Sequence, residues 1–213
     1  MTTTDVPRPR FARGYAKAGA RADRRGAAEH RSRLLSGLAG RVVEIGAGNG
    51  LNFTHYPTSV TEVIAIEPEP TLRAAAERAA ATAPVPVTVG PGTADHLPLG
   101  DGEVDAAVAS LVLCTVPDQA RALAELHRVL RPGGELRFYE HVIPERQPKR
   151  ALFQLADRSG LWPALGGGCH PARDTARAIQ AAGFAITRCE HFDFRANALE
   201  PNTPHILGIA RRG

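Results

Sequence analysis

At 213 residues, with 43% hydrophobic and 23% charged residues, the chain has the size and apolar content of one globular domain with a real core, which excludes wholesale disorder. The net charge of +4 leaves an acidic partner open, but aromatic residues make up only 5%, a poor supply for the stacking surfaces of an RNA-binding protein. No apolar run approaches the roughly 20 residues needed to cross a bilayer, so peripheral contact is the one expected mode of membrane association.

Residues 8 to 33 are dense in arginine and read first as a solvated helix face, with nucleic acid or anionic lipid as the other reading. A helical stretch is expected near 16–38. From residue 41 to about 140, runs rich in Val and Ile alternate with alanine-rich helical stretches, the pattern of an α/β protein with a parallel sheet. Strands are expected near 41–46, 62–66, 85–89, 104–110 and 134–141, with helices near 51–56, 69–82 and 117–130. Pro117 suits the first turn of the last of these helices, Arg128 suits its C-terminal end, and Pro132-Gly133-Gly134 breaks it. A Gly/Pro-rich region follows at 160–171, then a helix near 172–182. Two β-like runs, 184–193 and 203–210, are expected to pair antiparallel. Cys114, Cys169 and Cys189 form an odd set without CxxC spacing, and no signal-peptide pattern precedes them; a reducing cytoplasm fits best.

The stretch "VVEIGAGNGLNF" at 42–53 reads as a buried strand entering a glycine-rich turn. Gly46, Gly48 and Gly50 let the backbone fold tightly and approach a ligand closely. A dinucleotide fingerprint requires G-x-G-x-x-G, yet the sixth position counted from Gly46 is Leu51, which weakens a dinucleotide reading. No lysine follows Gly50, which excludes a Walker loop. Glu44, two residues before the first glycine, repels pyrophosphate but suits a ligand bearing an ammonium group. Nineteen positions after Gly48, Glu67 ends the next strand in "VIAIEPEP", where a carboxylate can accept both hydroxyls of a ribose.

The run E-I-G-A-G-N-G resembles the first motif of class I S-adenosylmethionine-dependent methyltransferases. Three further segments resemble that family in its own order: Glu67 with Pro68; "GPGTADHLPLGDGEVD" at 90–105; and "AVASLVLCTV" followed by "LHRVLRPGGELRFYEHV". The resemblance implies a Rossmann-like fold, a mostly parallel seven-stranded sheet ending in an antiparallel hairpin, with S-adenosyl-L-methionine as cofactor. It implies that Thr93 and Ala94 lie over adenine, with a hydroxyl or backbone group serving N6 where the family usually has an acid. Ser110, Leu111 and Val112 would line the methionine half, with Ala47, Asn49 and Asn52 near it. Tyr15 would fold over the cofactor from a helical lid segment, residues 1–40, preceding the methyltransferase domain at 41–213.

For the acceptor, the [N/D]-P-P-[Y/F/W] motif of nucleic-acid amino methyltransferases is replaced by Ser110-Leu111-Val112-Leu113, which points to a small molecule. "EIGAGNGLNFTHYP", "DAAVASLVLCTVPD", "RVLRPGGELRFYEHV", "GGGCHPARDT" and "PHILGIA" resemble the methyltransferase-like 7 group, which includes alkyl thiol methyltransferases. Eukaryotic members carry an apolar N-terminal anchor, whereas residues 1–40 here are arginine-rich. His141, with Glu140 beside it, ends the fifth strand at the ligand-binding edge of the sheet and is the expected base; a strand-end hydrogen-bonding role is the other reading. Cys114, His170 and His205 are candidates for the acceptor pocket, although Cys114 and His205 also suit packing roles. No second ligand pair has zinc spacing, so no metal is expected. The expected activity is methylation of a small molecule, first a thiol. The alternatives are an oxygen or carbon acceptor on a quinone-like or polyketide-like product, a non-catalytic cofactor-binding regulator, or an NAD-binding oxidoreductase. The sequence is silent on oligomeric state.

Overall fold

The computed structural model describes residues 5–165, 167–196 and 202–213. Its strands are β1 (Gly40–Ile45), β2 (Val60–Ile66), β3 (Val87–Gly90), β4 (Val104–Ser110), β5 (Leu130–His141), β6 (Phe184–Phe194) and β7 (Thr203–Arg212). They form one sheet in the order β3-β2-β1-β4-β5-β7-β6. The first five strands run parallel, and β7 pairs antiparallel with both β5 and β6.

Helices cover both faces, so the central strands are apolar at nearly every position and not only at alternate ones. In β1, Val43 and Ile45 point into a core shared with Leu123, Leu126 and Ile179, while Val42 points into a second core with Leu34, Leu35 and Val63. The helices are α1 (Pro9–Ala22), α2 (Ala28–Leu35), α3 (Pro70–Ala80), α4 (Gln119–Val129), α5 (Lys149–Arg158), α6 (Leu161–Leu165) and α7 (Thr175–Ala181). Among the described residues no helix is long and apolar enough to cross a membrane.

Several elements differ from the sequence expectation. The helix expected at 51–56 is one 3₁₀ turn, Phe53–His55, because the residue before Pro57 is held extended (φ −66°, ψ 130° at Tyr56). The helix expected at 16–38 starts at Pro9, whose fixed φ suits the first turn. It breaks in a π turn, Asp23–Ala27, where Gly26 takes φ 116°, and resumes as α2. Pro117 lies ahead of α4 rather than in its first turn, since the Asp118 carboxylate caps the helix by accepting the Arg121 N–H at 3.0 Å. β5 begins at Leu130, and residues 131–134 bulge where its register with β4 slips. The segment between β5 and α7 holds α5 and α6, neither expected.

Candidate functional site

The carboxyl ends of β1, β2, β4 and β5 open onto a cavity of about 440 Å³, the position where parallel α/β sheets receive ligands. At Gly46 and Gly48 the turn after β1 takes φ 58° and 59°, a backbone region costly for other residues. A Cβ would come within 2.5 Å of Val112 at Gly46 and 3.0 Å of the Tyr15 ring at Gly48. Gly50 serves packing instead, since a Cβ there would lie 2.8 Å from both Phe53 and Ala79. The Glu67 carboxylate accepts the Gly48 N–H at 2.7 Å and the Glu69 N–H at 2.9 Å. Each oxygen keeps a further lone pair for a ligand hydroxyl. Burial pushes this carboxyl above its ordinary range.

Of the residues singled out in the sequence, Tyr15, Gly46, Gly48, Glu67, Pro68, Thr93, Ala94, Leu111, Val112, Cys114 and His141 line the cavity. Ala47, Asn49, Gly50, Glu44, Asn52, Ser110, Glu140, His170 and His205 do not. Glu44 is sealed beneath the glycine turn at 2% exposure, where it accepts Asn52 Nδ2 at 2.8 Å and the Tyr56 hydroxyl at 2.7 Å. Burial raises its pKa to about 7. Arg31 continues this buried network by donating to Asn52 at 3.0 Å, Ser110 at 3.4 Å and Asp23 at 3.1 Å. The arginine-rich segment is therefore not a uniformly solvated face: Arg31 ties the N-terminal helices to the glycine turn, and Arg8 reaches the cavity.

Glu140 turns away from the cavity into a wholly buried position. There its two oxygens accept the N–H groups of Val112 (3.0 Å), Leu113 (2.9 Å) and Cys114 (3.1 Å). These three donors converge because Leu111 adopts φ 60°, a left-handed conformation costly for leucine, and anchors its own N–H on the Tyr139 carbonyl at 2.7 Å. Strand β5 thus holds the loop after β4 by a carboxylate clamp, and Glu140 positions backbone without lining the cavity.

His170 is paired with Asp157 at 2.8 Å. His205 is buried and donates Nδ1–H to the Thr203 carbonyl at 2.8 Å. Its pKa falls to about 2, chiefly through burial and then through the charge of the neighbouring His141. It lies behind His141, ring centroids 4.3 Å apart. His141 Nδ1 faces two thiols, Cys114 Sγ at 3.7 Å and Cys169 Sγ at 3.6 Å. Cys169 lines the cavity although the sequence pointed to the histidine beside it. The Cys114 thiol is pushed up to about 12, first by its hydrogen bond with Cys169 and next by burial.

The cavity is covered from the N-terminal side, where the sequence pointed to Tyr15 but passed over Val6 and Phe11. The Val6 N–H donates to the Pro68 carbonyl at 2.9 Å, and the Arg8 N–H donates to Glu69 at 3.3 Å. Phe11 packs against Tyr15 with ring centroids 5.4 Å apart. Their legible signal was an aromatic pair at i, i+4, which shares one face of a helix. Asp95 also lines the cavity, beside Thr93 and Ala94.

Residues 43–138 match the family model described as "Methyltransferase domain". The chain is 35% identical over 184 residues to thiol S-methyltransferase TMT1B of Mus musculus, covering 83% of this chain and 73% of that protein. The chain belongs to the class I S-adenosylmethionine-dependent methyltransferases. A demethylmenaquinone methyltransferase from Thermobifida fusca is 40% identical over 125 residues, covering 58% of this chain and 53% of its own length. Among solved structures, an S-adenosylmethionine-dependent methyltransferase from Thermotoga maritima superposes with a TM-score of 0.70 at 22% identity, over 96% of this chain and 97% of that one. The methyltransferase's cavity also fits its cofactor on physical grounds. Its volume of about 440 Å³ suits a nucleoside-sized ligand. A two-oxygen acceptor, Glu67, stands beside glycines whose Cβ atoms would collide with the walls.

Proposed function

We propose that this methyltransferase methylates a small thiol. The observation that carries the reading is that His141 lines the same cavity as Glu67 but three strands away, a separation of roughly 14 Å at the usual strand spacing. That span leaves room for an acceptor beyond a nucleoside held at Glu67. Similarity to proteins named thiol S-methyltransferases supports sulfur as the nucleophile.

Glu67 would hold the ribose hydroxyls, Thr93, Ala94 and Asp95 the adenine edge, and Gly46, Gly48, Leu111 and Val112 the methionine portion. Bound there, S-adenosylmethionine supplies a methyl group on a sulfonium, open to in-line displacement. Glu44 places a carboxyl beneath the turn, whose ionised form favours an ammonium nearby. Val6, Arg8, Phe11 and Tyr15 would close the cavity over the cofactor and exclude water, which supports a lid role for the described N-terminal residues. His141 stands at the acceptor end to take the thiol proton. All three cysteines are free, which supports a reducing, cytoplasmic setting.

The test is a panel of alkyl thiols, phenols and quinols, with formation of S-adenosylhomocysteine followed for each. Turnover on thiols is expected, reduced about 10²- to 10⁴-fold at neutral pH by His141→Ala if the imidazole takes the proton. Absence of turnover on every thiol would sink the reading. Turnover on quinols instead would favour carbon methylation, the second reading, which the demethylmenaquinone relative supports.

A further inference from the structure

Cys114, His141 and Cys169 lie 27 and 28 positions apart in the sequence, and the fold gathers their ligand atoms within 4.8 Å of one another on the cavity wall. We propose that these three residues form a zinc site whose fourth position opens to the cavity. Zinc bonded to sulfur at about 2.3 Å and to nitrogen at about 2.0–2.1 Å in a tetrahedron sets its sulfur and nitrogen ligands about 3.6 Å apart. The observed Sγ···Nδ1 separations of 3.6 and 3.7 Å match that spacing before any ion is added.

The framework around the cluster is rigid. Glu140 holds the backbone of Val112, Leu113 and Cys114 through one N–H bond from each, and the His170 N–H donates to the Cys114 carbonyl at 2.7 Å, tying the loop of Cys169 to the loop of Cys114. Gly167 and Gly168, at φ 67° and 94°, make the turn that brings Cys169 inward. Both thiols are nearly enclosed, with Cys114 1% and Cys169 7% exposed, so the ion would meet little water except on the cavity side. A ligand set with an imidazole nitrogen favours zinc over a trivalent metalloid, which prefers sulfur alone.

Three protein ligands with an open fourth position are the arrangement of a zinc that binds a substrate. The chemistry suited to that position is a thiol, an assignment that rests on the proposed acceptor class. Zinc uptake releases the two cysteine protons to solvent, and an acceptor thiol loses its own proton as its sulfur binds. With zinc bound, His141 serves as a ligand in place of the base of the metal-free site, and the acceptor proton leaves to water.

The full chain would be expressed in zinc-supplemented medium, dialysed against metal-free buffer and assayed for metal. About one zinc per chain is expected, and Cys114→Ser and Cys169→Ser should each weaken zinc binding by more than the roughly 100-fold that loss of an outer hydrogen-bond partner can cost. Cys189→Ser, which alters the one cysteine outside the cluster, should retain the metal. Calorimetry with S-adenosylmethionine verifies that each variant is folded. In the cobalt-substituted protein a thiolate-to-cobalt charge-transfer band is expected, and an added alkyl thiol should intensify it while its methyl thioether should not. Loss of all metal from the parent protein, metal retained by the Cys114→Ser/Cys169→Ser double variant, or isolation of Cys114 and Cys169 as a disulfide overturns the site. A cobalt band that ignores added thiol overturns the open position. Thiol turnover by metal-free protein would remove the zinc site and leave the acceptor reading standing; zinc retention without thiol turnover would do the reverse.

Discussion

At the β1–β2 end of the cavity, the walls come from short stretches: Gly46 and Gly48 of the glycine turn, then Glu67 and Pro68. At the β4–β5 end they come from Leu111, Cys114, His141 and Cys169, spread over 59 positions and joined by contacts between loops. Each end uses a buried carboxylate to hold a turn. Glu67 accepts two backbone N–H groups and still faces the cavity, while Glu140 accepts three and does not. One carboxylate is shared between fold and ligand, whereas the other is committed to the fold. The donor end can therefore be stereotyped, and the acceptor end can vary its lining on a fixed clamp.

The largest effect should come from breaking that clamp. Glu140→Ala leaves three backbone donors without an acceptor at a fully buried position. At about 1–3 kcal/mol for each of the three orphaned groups, a loss of at least roughly 3 kcal/mol is expected in urea denaturation. Glu140→Gln keeps one oxygen for two of the donors and should lose only about 1–3 kcal/mol. An alanine variant within about 1 kcal/mol of the parent would mean that water replaces the carboxylate and that no clamp exists.

The difference between the two ends also decides what could be read from the sequence. The glycine turn, Glu67 and the sheet were legible because a strand entering a tight turn dictates residue types over a few consecutive positions. The mostly parallel seven-stranded sheet with an antiparallel end followed from the family resemblance and is borne out. Arg31, 21 positions from Asn52 and 79 from Ser110, gave no such signal, since no periodicity marks a buried arginine in an arginine-rich run. The grouping of Cys169 with Cys114 and His141 was hidden for the same reason, because ligand spacing is a local pattern and this cluster is made by tertiary packing. α5 was not expected, although a run of helix formers between Pro148 and Gly160 offered a signal; its Leu152 and Leu155 stay 63% and 67% exposed. The five-residue α6 carries Pro163 inside it and offered no helix signal.

A smaller effect tests whether Glu44 belongs to the fold, like Glu140, or to the ligand. Its folded pKa of about 7 lies above the ordinary 4.5. Between those values the folded protein holds a proton that the unfolded chain releases. Its contribution is therefore complete below pH 4.5 and lost as pH rises through about 7. At roughly 1.4 kcal/mol per pH unit, the stability of the parent relative to Glu44→Gln should fall by about 3 kcal/mol between pH 4.5 and 8. Using Glu44→Gln as the reference cancels the contribution of Glu140, whose carboxyl burial also pushes up. Urea denaturation of both proteins across that range gives the answer, and parallel curves would place the Glu44 charge in contact with solvent or a cation.

The smallest expected effect sharpens the comparison most. Glu67→Gln retains one oxygen for the Gly48 or the Glu69 N–H but sets an amide nitrogen against the other, and it removes the charge that strengthens a bond from a ribose hydroxyl. Cofactor affinity should fall by about 1–3 kcal/mol, roughly 5- to 150-fold. Stability in the absence of cofactor should change less than in Glu140→Ala, because Glu67 borders the cavity, where water can reach the unpaired group. Calorimetry and urea denaturation of the same variant separate the two quantities. If Glu67→Gln binds S-adenosylmethionine as tightly as the parent yet loses as much stability as Glu140→Ala, then both carboxylates are clamps, and the ribose must be held by other groups on the cavity wall.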